Sequence, residues 1–327
     1  MKLPLPVDLA SLAKVILSPE CKNICILTGA GVSVASGIPD FRSPGGMYDT
    51  LKPELLTASA QEKRYMEQDP TYVVTWDIFR NNQFPYMEVR RPFILGTRNH
   101  QWKATIANRF AELLHTKTGK LRRIYTQNID GLQRQCQDIP DETIVNVHGT
   151  ISKAGCEHCG HDMDFDEFCN QVQTKIKDIY GVDEKAPSES TPIFCEECGK
   201  AMVKPKTVLF GRSLPSEFFE CCERDLPDLD LLIVAGTSLV VSPANSLVYK
   251  VPDTTLRVVV NNEPVGMELG IDYNGKGPGC RDFYAQGQCD AVFLNLIQEL
   301  GWLEDLKQKR DELPPASIQL LDSANSG

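Results

Sequence analysis

The sequence predicts an α/β fold: a parallel sheet with helices on both faces, joined to a smaller metal-binding and helical module. Three observations predict it. Short, continuous apolar and β-branched runs recur along the chain, as strands buried on both faces require. Most runs stop at glycine, amide, hydroxyl, carboxylate or imidazole residues, and ligands in such sheets sit at the carboxyl ends of the strands. Two C-x-x-C pairs then fall together in the second half of the chain.

The first run, Ile24-Cys25-Ile26-Leu27-Thr28, comes after a stretch of helical spacing over 7–20 and leads into Gly29-Ala30-Gly31. A strand ending in two closely spaced glycines gives a tight turn with exposed backbone N–H groups, a seat for a pyrophosphate. The dinucleotide fingerprint G-x-G-x-x-G is not met: Val34 stands where its last glycine belongs, and no acidic ribose clamp appears about twenty residues on. A plain strand-to-helix turn is the competing reading. Beyond the seat, Gly37, Pro39, Pro44, Gly45 and Gly46 break regular structure, while Asp40, Phe41 and Arg42 offer a carboxylate, a ring and a guanidinium. That combination predicts a mobile lid over a bound nucleotide.

Residues 50–118 carry no strong strand signal and are predicted as a helical insertion, with helices near 55–68, 71–82 and 103–115. His100 and His115 fall here and take no predicted role. The series of strands resumes at 123–126, which ends in Gln127-Asn128-Ile129-Asp130-Gly131. It continues at 144–147, ending in His148-Gly149-Thr150, and at 206–210, ending in Gly211. Residues 231–235 end in Gly236-Thr237-Ser238, and 257–260 in Asn261-Asn262-Glu263. Cys289-Asp290-Ala291-Val292 then precedes a helix over 295–310, whose charged end is Lys307-Gln308-Lys309-Arg310. The tail from Leu313 is predicted to be disordered.

Cys156-Glu-His-Cys159 and Cys195-Glu-Glu-Cys198 are each succeeded by glycine, so each pair forms a knuckle with two thiolates on one side. Two knuckles complete a tetrahedral, closed and therefore structural zinc site. The 35 residues between Cys159 and Cys195 exceed the common ribbon spacing, so an insertion near 164–192 must loop out. His158, His161 and Cys169 are rival ligands, set aside because four thiolates fill the shell.

The chain has 327 residues, a 42% hydrophobic composition and a net charge of −10. That is long enough for one large and one smaller domain, and the acidity argues against non-specific nucleic-acid binding. No signal peptide and no apolar run of membrane-spanning length is seen, so no membrane partner is expected. Twelve cysteines scattered through the chain suit free thiols plus one metal site in a reducing compartment, cytoplasmic or nuclear.

Taken in order, these motifs resemble the sirtuin family of NAD-dependent protein lysine deacylases. The matching stretches are Gly29-Ala-Gly31 with Gly37-Ile-Pro-Asp-Phe-Arg-Ser-Pro44, Thr126-Gln-Asn-Ile-Asp-Gly-Leu132, and His148-Gly149. The paired cysteines, Val208-Leu-Phe-Gly211, Gly236-Thr-Ser-Leu239, Val260-Asn261 with Glu263, and Cys289-Asp290 complete the set. The resemblance implies a Rossmann-like domain (1–49, 119–151 and 205–310), a helical module (50–118), a zinc module (152–204) and a tail (311–327). It implies a pyrophosphate held by Ala30, Gly31, Val32 and Ser33, and a cofactor loop bearing Asp40, Phe41 and Arg42. Gln127, Asn128, Ile129 and Asp130 would line the nicotinamide and ribose pocket. Gly236, Thr237 and Ser238, with Asn261, Asn262, Glu263 and Cys289, would hold the adenosine half. His148 would be the general base, with Asn128 and Asp130 as its catalytic neighbours. The partner would be an acyl-lysine peptide, adding as a strand near Val208, Phe210 and Gly211. In the family's reaction nicotinamide leaves, and lysine and O-acyl-ADP-ribose are formed.

Three departures stand out. Arg212 replaces a usual glutamate, which predicts a preference for acidic neighbours in the substrate. Ala104-Thr105 with Asn108 replaces a usual Pro-Thr and histidine, and Ala244-Asn245 a usual Phe-Ala. Phe79 and Asn82 stand nearest to the Tyr-x-x-Arg pair of members that take acidic acyl groups, which predicts acetyl or longer neutral chains here. Protein ADP-ribosylation from the same pocket, and a zinc-containing binding module with little activity, are the alternatives. A dehydrogenase is disfavoured by the broken fingerprint.

Overall fold

The computed structural model describes residues 2–38, 46–275 and 279–324. The apolar runs form the strands of a six-stranded sheet. β1 (Ile24–Thr28), β2 (Leu121–Thr126), β3 (Ile144–Asn146), β7 (Leu231–Ala235), β8 (Leu256–Asn261) and β9 (Asp282–Gln286) lie in the order β3-β2-β1-β7-β8-β9, every pair parallel. All five residues of β1 and of β7 are buried, as expected for central strands covered on both faces. One face packs on α1 (Leu9–Leu17), α5 (Ile106–Thr118), α9 (Cys289–Glu299), α10 (Leu303–Gln308) and α11 (Pro315–Ser323). The other packs on α7 (Ser216–Asp225) and α8 (Leu247–Lys250). The chain steps outward from β1 to β2 and β3, then returns to β7 and steps the other way. The order therefore reverses between β1 and β7, and the crevice at their carboxyl ends is where such sheets bind ligands.

A second, antiparallel sheet, β5-β4-β6, is built from β4 (Gly149–Cys156), β5 (Asp162–Met163) and β6 (Val203–Thr207). It shares a separate core with α2 (Ala60–Gln68), α3 (Trp76–Phe79), α4 (Phe84–Arg98) and α6 (Phe165–Lys175).

Several expectations need correction. The run over 206–210 does not join the parallel sheet; its first half is β6 of the small sheet. Cys289–Val292 is the first turn of α9, and the sixth parallel strand is β9, Asp-Phe-Tyr-Ala-Gln, whose mixed pattern suits an edge. The segment over 106–118 packs into the large core rather than the helical module, because its apolar face meets α9 and β2. The insertion over 164–192 is not a bare loop. Its helix α6 buries Phe168, Cys169 and Val172. Arg91 of α4 anchors the rest of the insertion, donating to Ile176 O (2.9 Å) and to Asp183 (2.6 Å). The tail from Leu313 is not disordered over its described residues; it carries α11. Proline fits the first helical turn, and α11 buries Ser317 and Leu321.

Candidate active site and metal centre

The site begins where β1 and β7 end side by side. Gly31 N–H donates to Gly236 O at 2.8 Å, and Gly29 N–H to Ala235 O at 2.9 Å. A Cβ on Gly31 would lie 2.6 Å from Gly236 Cα, and one on Gly29 would lie 2.6 Å from Thr237 Cβ. Both glycines are needed for close backbone approach. Residues 30–32 and 34–36 then form two short 3-10 turns.

Ser33 is the hub of a polar network. Its Oγ donates to Asp130 Oδ2 at 2.6 Å and accepts from Asn128 Nδ2 at 3.1 Å; the same Nδ2 donates to Gly29 O at 2.9 Å. Leu132 N–H donates to Asp130 Oδ1 at 2.9 Å, and Gln127 Nε2 to Thr237 Oγ1 at 3.0 Å. Burial pushes the Asp130 carboxyl above the usual carboxylate range, against the pull of Ser33 and the Leu132 amide. Ala30, Ser33, Asn128, Ile129 and Asp130 line one pocket together with Ile38 and Phe93. The sequence patterns did not point to Ile38 or Phe93. Phe93 arrives on α4, whose internal Pro92 hid the helix.

His148 lies just beyond β3 and is tied to Gln127, the residue before Asn128. Its Nδ1 is 3.0 Å from the carbonyl oxygen of Gln127, which only accepts, so Nδ1 carries the proton and Nε2 the lone pair. Nε2 is buried and without a hydrogen-bond partner among the described residues. Burial lowers the His148 pKa below its ordinary value, while the Gln127 carbonyl pulls the other way. The ring is therefore neutral near pH 7, with a free base nitrogen. Gly149 (φ +75°) lets the next strand pass close by: a Cβ there would collide with the Lys206 carbonyl.

Towards the far side, Gly236 has φ +61°, Thr237 is buried and Ser238 is exposed. Asn261 Nδ2 donates to Glu263 O at 3.1 Å, Asn262 and Glu263 are exposed, and Cys289 is buried beneath Val260. These groups border the end of β8, as a second half-site would require. Asp40, Phe41 and Arg42 lie outside the described residues.

Near the predicted peptide strand, Val208 N–H donates to His148 O at 2.8 Å. Phe210 bridges to the segment before α3: its N–H donates to Val74 O at 3.0 Å, and its C=O accepts from Trp76 N–H at 2.9 Å. Both backbone groups of Phe210 are thus engaged by this segment. The Phe210 side chain is 41% exposed. Gly211 has φ +87° and packs on Trp76. The Arg212 guanidinium lies 4.7 Å over the Trp76 ring, and Nη2 is 3.6 Å from Glu157, whose other oxygen holds buried Lys204 at 2.9 Å. Phe79 is core and Asn82 caps Thr57 O at 2.9 Å, so neither lines the pocket.

The four cysteines meet. All four Sγ atoms lie within 4.8 Å of one another, with Cys156–Cys198 at 3.7 Å and Cys159–Cys195 at 3.6 Å. Four sulfurs tetrahedrally placed about 2.3 Å from Zn²⁺ are about 3.8 Å apart. The donor set and spacing suit a structural zinc.

The profile of the Sir2 family matches residues 29–243. The chain is 35% identical over 330 residues to the NAD-dependent protein deacetylase sirtuin-2 of Danio rerio, covering 97% of this chain and 77% of that one. It is 32% identical over 304 residues to the NAD-dependent protein deacetylase hst2 of Schizosaccharomyces pombe, with 93% and 79% covered. It is 36% identical over 298 residues to the NAD-dependent deacetylase sir2D of Dictyostelium discoideum, covering 90% of this chain but 47% of that longer protein.

Proposed function

This chain belongs to the Sir2 family, and on that premise we propose that it removes acetyl or other neutral acyl groups from protein lysines at the expense of NAD. The products are lysine, nicotinamide and O-acyl-ADP-ribose. The observation that carries this reading is the buried, unpartnered Nε2 of His148, whose ring is held by the Gln127 carbonyl in the same segment as Asn128 and Asp130 of the Ser33 network.

NAD supplies the electrophilic ribose carbon and the leaving nicotinamide. The residues do the rest. The turn of Ala30, Gly31, Val32 and Ser33 seats the pyrophosphate: the Gly31, Val32 and Ser33 amides shape it by bonding Gly236 O, Gly29 O and Ala30 O, and the Ala30 N–H is left to face the ligand. Asn128 and Asp130, fixed through Ser33, orient the carboxamide; Ile129, Ile38 and Phe93 keep water from the ring. Gln127 and Thr237 brace the ribose side, and Gly236, Ser238, Asn261, Asn262, Glu263 and Cys289 take the adenosine half. His148 Nε2 accepts a ribose hydroxyl proton at neutral pH, its ring held in the right tautomer by Gln127 O. Phe210 covers the lysine's aliphatic stem. Arg212, on the same loop, favours substrates with an acidic neighbour, since Lys204 already matches Glu157 and leaves the guanidinium charge over. Cys156, Cys159, Cys195 and Cys198 hold zinc, which shapes the small domain and takes no part in the chemistry.

The test is to incubate the protein with an acetylated peptide and NAD and weigh the products. O-acetyl-ADP-ribose supports deacylation. ADP-ribosylated protein would replace this reading with transfer, and neither product would leave a binding role.

A further inference from the structure

The C-terminal helix takes no part in the chemistry above, yet it is tied to the cofactor cradle. Ser317, fully buried in α11, donates its Oγ to Asp290 Oδ2 at 2.5 Å. Asp290 is itself buried, in the first turn of α9 beside Cys289. Its carboxylate also accepts from the first two amides of α5: Ile106 N–H at 3.3 Å and Ala107 N–H at 3.0 Å. The N-cap of α5 is Thr105, buried, and its Oγ1 donates to Val32 O in the cradle at 2.7 Å. Three side chains in series thus join α11 to the turn at residues 30–32.

A second route runs alongside. Lys103 Nζ donates to Asp311 O at 2.9 Å, and Lys103 N–H to Ser36 Oγ at 3.0 Å, at the base of the lid segment. α11 packs directly on the turn at 34–36, and Arg310 clamps Asp322 through two bonds of 3.0 and 2.6 Å.

A buried carboxylate is stable only while its lone pairs are filled. Without Ser317, Oδ2 keeps only the 3.3 Å contact to Ile106 N–H among these bonds. The carboxyl then turns to find a partner, and the start of α5, with Thr105 and Val32 O, moves with it.

We propose that Ser317 is a positioning residue for the cofactor: through Asp290 and Thr105 it fixes the cradle, so that docking of α11 sets NAD affinity. This rests on the reading that residues 30–33 hold the pyrophosphate.

The experiment compares the full chain, Ser317→Ala, and a chain ending at Leu313. NAD binding is measured by calorimetry, with initial rates and melting temperature alongside. Loss of one hydrogen bond predicts NAD affinity weaker by about fivefold in Ser317→Ala, and weaker still in the truncated chain. The KM for acetylated peptide, and kcat at saturating NAD, should stay within about twofold. Wild-type NAD affinity in Ser317→Ala overturns the proposal, as does a fall in kcat with NAD affinity intact, the mark of a role in stability alone. If the truncated chain does not fold, Ser317→Ala decides. Wild-type protein that binds NAD but makes no O-acetyl-ADP-ribose defeats the deacylase reading and leaves the brace measurable by binding. Wild-type protein that binds no NAD defeats both.

Discussion

Replacing Gly31 with alanine probes the crevice where the strand order reverses. The new Cβ would sit 2.6 Å from Gly236 Cα and 3.1 Å from Gly236 O. Non-bonded carbons rest about 3.5–4.0 Å apart, so the two turns must separate by about 1 Å. Both sides of the contact are backbone, and no side chain can swing away. The strain costs about 1–3 kcal/mol, and the lost Gly31 N–H bond to Gly236 O adds about 1 kcal/mol. The displaced turn is the one proposed to seat the pyrophosphate, so NAD should bind at least about tenfold more weakly. Gly119→Ala is the control: it caps α5 at φ +65° with nothing within 4 Å of an added Cβ. It should cost about 1 kcal/mol of stability from backbone strain and leave NAD affinity alone. Urea unfolding and NAD calorimetry on both variants separate the two effects. A Gly31→Ala protein that unfolds like Gly119→Ala and binds NAD like wild type would refute the close-approach reasoning.

Three further outcomes are expected. Because burial lowers the His148 pKa, log kcat/KM should rise with unit slope in acid and level off through a midpoint below the ordinary histidine value of about 6.5; a limb centred above that value contradicts a buried neutral base. The same shift bears on stability: as pH falls through about 6.5 the unfolded chain takes up the proton first, so His148 costs stability on the acid side. Chelation should release one zinc per chain and melt the small antiparallel sheet, with Cys195→Ala behaving alike; an unchanged melting temperature on metal removal counts against a structural ion. Arg212→Glu should reverse the preference between acetyl-lysine peptides with Glu and Lys neighbours, each way by about two- to fivefold, the size of an exposed ion pair; a charge-indifferent wild type would end that reading.

The sequence made much of this legible, for identifiable reasons. β1, β7 and β8 are covered on both faces, and their unbroken apolar runs say so. Gly29, Gly31 and Gly236 were readable as turns, but only the fold shows that two turns interlock there. The cysteine spacing pointed to one metal centre, and the four sulfurs do converge. Other features are invisible to local sequence patterns. β9 is an edge strand with two half-buried aromatics and no apolar run. α4 carries Pro92 in its interior, which argues locally against the helix that brings Phe93 to the pocket. α11 begins after Pro314, and its few apolar residues count only because Ser317 and Leu321 find partners far off in the chain. The tautomer of His148 depends on Gln127, 21 positions away in sequence, and no local motif reports it.

The central claim is that His148 Nε2 is the base that completes acyl transfer onto ribose, within a site that still binds NAD without it. Mass spectrometry of the products from an acetylated peptide and NAD, run with wild type and His148→Ala, tests it most directly. The account predicts O-acetyl-ADP-ribose from wild type and a loss of about 10²–10⁴-fold in the variant, with NAD binding retained by calorimetry. Undiminished O-acetyl-ADP-ribose from His148→Ala would contradict it.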